Sequence, residues 1–220
     1  MPSFPKLRLT TSWFISLYFK TRGNGVGNIP AAGPFVVVSN HASFLDPYLI
    51  GYTSKEREVG FMAKEELFRV PVFGSIIQYC GAFPVRRGSY DEEAIQKFHD
   101  FLHSGKPLVI FAEGTRTLTG ELQPARKGVG MLLYKARVPV IPAYIAGTFE
   151  SWPKGKWFPR PAQTSVSYGP AIPLEDLYAQ AGDKTTYRKI ADRVMVHIGK
   201  LKANLQASGN TIEKPENDKT

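Results

Sequence analysis

An apolar run passes directly into a polar loop in the stretch Phe35-Val36-Val37-Val38-Ser39-Asn40-His41-Ala42-Ser43-Phe44-Leu45-Asp46. The apolar part predicts a β-strand. A second run, Pro107 to Phe111, leads in the same way into Glu113-Gly114-Thr115-Arg116. Two polar loops that carry reactive side chains therefore follow two predicted strands.

Short apolar runs alternate with segments of helical character along most of the chain. We predict strands at residues 35–39, 59–63, 81–85, 107–111, 138–145 and 164–168. The clearest helices are expected at 89–104, where Ser89 and Glu92 have the spacing of a capping box, and at 185–205, which carries an apolar stripe. This alternation predicts an α/β fold, a layered mixed or mostly parallel sheet flanked by helices. Ligands of such sheets usually lie beyond the carboxyl ends of the strands.

The length of 220 residues, with 43% hydrophobic and 21% charged residues, is typical of one large globular domain. We expect an amphipathic helix and a glycine-rich connector over residues 1–28, the main domain over 29–207 and a flexible tail over 208–220. The single Cys80 excludes an intramolecular disulfide framework.

The formal net charge of +9 favours anionic partners, such as lipid headgroups, phosphorylated substrates, nucleic acid or an acidic carrier protein. Charge alone does not choose among them. Neither an RNP-like nor a helix-turn-helix signature is present, so we expect no nucleic acid partner.

Two segments interleave aromatic residues with cations, as segments at membrane surfaces do. The first places Trp13 and Phe14 on one helical face between flanking basic residues, and the second carries Trp152 and Trp157. A core-packed helix and a packed surface loop are the alternatives. No apolar stretch approaches the roughly 20 residues that cross a bilayer, so we predict peripheral or monotopic attachment without a transmembrane span.

His41 and Asp46 are the smallest set of residues that general base catalysis requires. They provide an imidazole and a carboxylate that is close enough in the sequence to orient it. Asp46 could instead merely cap the helix that Asp46-Pro47 predicts, with His41 as a hydrogen-bonding loop residue. Ser39 and Ser43 lack the Gly-x-Ser-x-Gly elbow of a serine nucleophile, which favours direct transfer. The other histidines fall on predicted structural helices, so no metal site is expected.

Several basic side chains near the predicted strand ends could bind a phosphate. Arg86 follows the strand predicted at 81–85, and Lys127 immediately precedes another predicted helix. Guanidinium groups pair with phosphate oxygens in bidentate geometry, although each such cation taken singly is more often a solvated surface residue.

Four blocks occur in a fixed order, namely Asn-His-x4-Asp from Asn40, Gly-x-Phe-x-x-Arg from Gly81, Phe-x-Glu-Gly-Thr-Arg from Phe111 and Val-Pro-Val-Ile-Pro from Val138. Together they resemble the glycerolipid acyltransferase family, of the bacterial 1-acylglycerol-3-phosphate acyltransferase type, over about residues 35–148. The chain departs from the usual pattern in having Ala112 where proline is common and Thr117 where serine is usual.

The resemblance implies roles for the residues of these blocks. His41 would be the general base, with Asp46 as its orienting partner and Asn40 in support. The residues implied in binding the acceptor's phosphate are Arg86, Glu113, Gly114, Thr115 and Arg116. Backbone amides or Lys127 could stabilise the oxyanion.

The resemblance also implies a reaction, a compartment and partners. A fatty acyl group would pass from acyl-CoA or acyl carrier protein to the free hydroxyl of 1-acylglycerol 3-phosphate without a further cofactor, at the cytoplasmic face of the inner membrane. Another lyso-lipid or glycerol 3-phosphate could be the acceptor. A thioesterase or lipid hydrolase, and a non-enzymatic protein that binds anionic lipid, are the remaining alternatives.

Overall fold

The apolar runs form the strands of one sheet in the computed structural model, which describes residues 18–54, 57–71, 73–79, 81–85 and 92–208. The strands are β1 (Arg22–Asn24), β2 (Val36–Ser39), β3 (Gly60–Lys64), β4 (Ala82–Val85), β5 (Leu108–Phe111), β6 (Val140–Ala146) and β7 (Ser165–Tyr168). Their order across the sheet is β1-β7-β6-β2-β5-β3-β4.

The five strands from β6 to β4 run parallel, and β7 joins β6 in the antiparallel sense with β1 alongside it. Ser39 at the end of β2 lies opposite Phe111 of β5 and Ala143 of β6. The loops that leave β2 and β5 therefore emerge side by side at the same edge of the sheet.

Helices and short turns connect the strands. The helices are α1 (Asp46–Thr53), α2 (Phe73–Tyr79), α3 (Glu92–His103), α4 (Lys127–Ala136), α5 (Thr148–Ser151), α6 (Glu175–Tyr178) and α7 (Lys184–Ala207), and 3-10 turns form at Val26–Asn28 and Glu65–Arg69. Asp183 begins α7, because its side chain accepts a hydrogen bond from the Thr186 amide at 2.8 Å.

Alternate residues of the central strands pack into two cores, one on each face of the sheet. In β2, Val36 and Val38 face the core that α3, α4 and α7 cover, whereas Val37 faces the core that holds Leu49 and Ile50 of α1. Both faces of the strand are buried, which is why its sequence is a continuous apolar run. The helix α1 thereby lies on the sheet with its first turn at the edge where β2 ends.

The predicted α/β fold is confirmed, and each of the six predicted strands is present within two residues of its expected bounds. Part of the segment that we predicted to be a glycine-rich connector is a strand. Residues 22–24 form β1, and the Arg22 amide donates to the Thr164 carbonyl at 3.0 Å. All three residues of β1 are exposed. An edge strand of this kind has no apolar alternation, and its pairing with β7 was invisible in the sequence.

No helix in the described part of the chain combines the length and apolar character that crossing a bilayer demands. The capping box at Ser89 and the thiol of Cys80 lie outside the described residues. The predicted division of the chain into an amino-terminal segment, a main domain and a tail, with boundaries at residues 28 and 207, stays a prediction. The strand β1 precedes the first boundary and pairs with β7 of the main sheet.

Candidate active site

His41 and Asp46 form a hydrogen-bonded pair at the carboxyl end of β2. His41 Nδ1 lies 2.8 Å from Asp46 Oδ2, and Asp46 is fully buried. The same oxygen accepts the amides of Ala42 at 2.6 Å and Ser43 at 2.8 Å. Asp46 is thus more than a helix cap, since its bonds run to the loop and the imidazole. With Nδ1 on the carboxylate, Nε2 is the nitrogen left to take a proton from a substrate.

The imidazole is held from several sides. Its ring stacks on Phe111 of β5, with ring centres 4.0 Å apart and planes 17° from parallel. The His41 carbonyl accepts the Thr117 amide at 2.8 Å, and the His41 amide donates to Glu113 Oε1 at 3.4 Å. His41 is therefore fixed by both loops at once, which would reduce the reorganisation needed for a proton transfer at its ring.

Asn40 ties the β2 loop to β6. Its buried amide group donates to the Ile145 carbonyl at 2.9 Å and accepts the Ile145 amide at 2.8 Å. These bonds replace strand pairing just beyond the last residue of β2. The structure therefore gives Asn40 a supporting position behind the histidine.

The loop after β5 needs a glycine at its turn. The Gly114 amide donates to the Phe111 carbonyl at 3.0 Å, and Gly114 has a φ of +67°. A Cβ at Gly114 would lie 2.8 Å from Arg126 Cγ. Side chains rarely adopt this conformation, so the glycine of Glu-Gly-Thr-Arg sets the path of the loop.

Glu113 lies against the backbone of His41 and is only 2% exposed. Burial, helped by the negative charge of Asp46 and opposed by the hydrogen bond from the His41 amide, raises the pKa of Glu113 to about 7. Its Oε2 has no hydrogen-bond partner among the described residues. The resemblance implies phosphate binding for this residue, but its carboxyl group here contacts the histidine loop.

Arg116 brings a cation to the β2 loop. Its guanidinium carbon lies 3.6 Å from the centre of the Phe44 ring. Burial lowers the pKa of Arg116, against the attraction of Asp46. Thr115 is half-buried between Gly114 and this arginine. A positive group of the β5 loop therefore lies against the β2 loop, which carries His41.

Lys127 is exposed at the first position of α4, and its side chain makes no hydrogen bond or ion pair with the site residues that the structure describes. Its neighbour Arg126 instead contacts the loop, through a 3.4 Å hydrogen bond from Nε to the Glu113 carbonyl. Arg86 lies outside the described residues, as do Trp13 and Phe14.

The predicted aromatic loop after β6 approaches the site. The half-buried Trp152 contacts Phe44 edge-on, with ring centres 6.0 Å apart, and donates from Nε1 to the Lys156 carbonyl at 2.8 Å. Trp157, at the tip, is 88% exposed. Sequence reasoning missed Phe44 and Phe111 as site residues, although each lies inside a motif block and is aromatic.

Neither nearby serine is available as a nucleophile. Ser43 is fully buried and its Oγ accepts the Leu45 amide at 3.2 Å, while Ser39 Oγ donates to Asn40.

Within the described ranges, no three His, Cys, Asp or Glu side chains gather as a metal site would require. An imidazole oriented by a carboxylate and lying near a cation is chemically suited to activating a hydroxyl on an anionic substrate.

The acyltransferase family model matches residues 21–146. A chloroplastic 1-acyl-sn-glycerol-3-phosphate acyltransferase of Brassica napus is 32% identical over 67% of this chain and 43% of its own length. The enzyme of that name from Limnanthes douglasii is 30% identical over 80% of this chain and 62% of its own length. The chain thus spans about half the length of these curated relatives.

The crystal structure of the 1-acyl-sn-glycerophosphate (LPA) acyltransferase PlsC from Thermotoga maritima matches with a TM-score of 0.67 and 25% identity. The match covers 92% of this chain and 84% of that one. The resemblance that the four motif blocks carry is therefore confirmed by sequence and by structure. The chain belongs to the acyltransferase family.

Proposed function

We propose that this protein transfers a fatty acyl group from acyl-CoA or acyl carrier protein to the free hydroxyl of 1-acylglycerol 3-phosphate, giving phosphatidic acid. The observation that carries the proposal is the His41–Asp46 pair beside the half-buried cation of Arg116. The names of the relatives support this acceptor. No cofactor is needed, because the thioester supplies the activated acyl group.

The reaction follows from the geometry of the pair. His41 Nε2 takes the proton of the acceptor hydroxyl as its oxygen attacks the thioester carbonyl. The carbon–sulfur bond then breaks, and the departing thiolate takes the proton from the imidazolium. Asp46 holds the ring in the required tautomer and stabilises its charged form, and a base of this kind contributes typically about 10²- to 10⁴-fold in rate.

The acceptor's phosphate binds to Arg116, with Arg86 and the Thr115 amide as further partners. Gly114 contributes by shaping the turn, since its own amide donates to the Phe111 carbonyl. Glu113 supports the histidine loop from behind. Backbone amides or Lys127 stabilise the developing oxyanion. The phosphate and the reacting hydroxyl are thus held by adjacent loops, which fixes their relative positions.

A peripheral attachment to the cytoplasmic face of an anionic membrane is supported by the loop after α5. Trp157 and Phe158 are 88% and 83% exposed, beside the exposed cations Lys154 and Lys156. The two ends of this loop are held together, since the Arg160 amide donates to the Ser151 carbonyl at 2.9 Å. A fixed loop that displays two aromatic rings and several cations suits insertion among lipid headgroups.

The test is thiol release from acyl-CoA, or from acyl carrier protein, by the purified protein with and without 1-acylglycerol 3-phosphate. We expect release that depends on the acceptor and yields phosphatidic acid. Release without acceptor would instead indicate a thioesterase, and lipid binding without release would indicate a non-enzymatic binder. A panel with glycerol 3-phosphate and neutral lyso-lipids tests the acceptor, and a stable acyl-enzyme would contradict direct transfer.

A further inference from the structure

The Arg116 guanidinium is a half-buried cation with unused hydrogen-bond donors. Within the described part of the chain, no carbonyl or carboxylate oxygen accepts a hydrogen bond from it, and burial lowers its pKa. The partly buried Arg57 and the ion-paired Arg193 differ in this respect, because they donate to the Pro30 and Pro173 carbonyls. The donors of Arg116 are therefore left for a ligand.

The Phe44 ring supports the face of this guanidinium at 3.6 Å. Contact through the face uses none of the N–H groups, which point outward in the guanidinium plane. A stacked arginine of this kind keeps the fork that pairs with phosphate oxygens while losing freedom to turn. The ring thus fixes the plane in which Arg116 presents its donors.

Phe44 is itself fixed relative to the catalytic base. The neighbouring amides of Ala42 and Ser43 bond to Asp46 Oδ2, the atom that orients His41. The edge of the Phe44 ring packs against Trp152 at an angle of 61°. The ring therefore lies in the same rigid loop as the base, between His41 and Asp46 in the sequence.

We infer that Phe44 is a positioning residue, which sets where Arg116 holds the acceptor's phosphate relative to His41. The inference rests on the proposed function, because it takes Arg116 as a phosphate ligand. Phe44 itself makes no bond to the substrate. It acts through Arg116, so its effect should appear in the binding of the acceptor and vanish when the guanidinium is removed.

The test compares Phe44→Leu, which removes the aromatic face, with Phe44→Trp, which keeps one. With a short-chain, water-soluble 1-acylglycerol 3-phosphate, Phe44→Leu should raise the KM for the acceptor by about 5- to 30-fold, from the usual strength of such contacts. The kcat and the KM for the donor should change less than about 2-fold. Phe44→Trp should keep the acceptor KM near that of the wild type.

Arg116→Ala and the double variant Phe44→Leu/Arg116→Ala separate this inference from the proposed function, with thermal unfolding as the check on folding. Arg116→Ala should raise the acceptor KM, and Phe44→Leu should then add nothing. If Arg116→Ala leaves that KM unchanged, the phosphate role of Arg116 is wrong and the inference fails with it. If Arg116→Ala raises the acceptor KM but Phe44→Leu does not, the inference about Phe44 is overturned and the proposed function stands. The same holds if the double variant raises the KM by the product of the two single effects.

Discussion

Replacing Glu113 by glutamine tests whether the buried carboxyl beside the His41 backbone carries a proton at neutral pH. Glu113 is 2% exposed, and burial is the largest reason that its pKa rises to about 7. Glutamine has the same shape and keeps an oxygen for the His41 amide, but it cannot ionise. The variant therefore removes one titration from the folded protein and leaves the packing in place.

The size and sign of the effect follow from the pKa. A rise from 4.5 to about 7 spans about 2.5 pH units, and each unit is about 1.4 kcal/mol, giving a full effect of about 3.5 kcal/mol, of which about 3 develops between pH 4.5 and about 8. Below pH 4.5 both the folded and the unfolded chain keep the proton, so the wild type bears no penalty. Between 4.5 and about 7 the unfolded chain ionises first, and the stability of the wild type falls. Above about pH 7, the wild type bears the full loss of stability that comes from ionising the buried Glu113.

Urea denaturation at pH 4.5, at about 6 and at about 8 measures this difference. The free energy of unfolding of Glu113→Gln minus that of the wild type should grow by about 3 kcal/mol across the series. Glu58→Gln, the same replacement at an exposed position, is the matched control. A flat difference for Glu113→Gln would refute the idea that this buried carboxyl is protonated.

Three further variants test other parts of the protein. Asn40→Ala should lower the free energy of unfolding by about 2–4 kcal/mol in urea denaturation, because it leaves the buried amide and carbonyl of Ile145 unpaired; a loss below about 0.5 kcal/mol would contradict this. Gly114→Ala should cost about 1–2 kcal/mol and lower kcat, since its φ of +67° strains any side chain; unchanged stability and kinetics would show that the turn tolerates a side chain. Trp157→Ala/Phe158→Ala should weaken sedimentation with anionic vesicles by about 10-fold or more without altering stability, from the apolar area withdrawn; equal vesicle binding would remove this loop from the membrane surface.

The sequence predicted the central strands and the pairing of His41 with Asp46 because their signals are local. The buried runs of β2 and β5 are apolar throughout, and His41 and Asp46 are only five residues apart. The resemblance to a family then joined two loops that lie 72 residues apart, between His41 and Glu113. Parallel pairing of β2 with β5 is the physical reason that these loops meet.

Features that depend on distant partners were not predictable. The exposed residues of β1 gain their partners only from β7, so residues 22–24 look like a connector in the sequence. The burial of Glu113 likewise depends on the packing of its loop against the β2 loop, and a charged residue in a polar motif suggests the opposite. The position of Phe44 at the site becomes evident only from the structure, in which Arg116 lies over its ring.

The most direct test of the account is the rate of acceptor-dependent thiol release from acyl-CoA by the wild type, His41→Ala and the control His103→Ala. His103 is an exposed histidine at the end of α3, before β5 begins, whereas the site loops follow the carboxyl ends of β2 and β5. We expect His41→Ala to fold normally and lose at least about 10²-fold in rate, and His103→Ala to match the wild type. A folded His41→Ala variant that keeps most of the rate would contradict the assignment of the base.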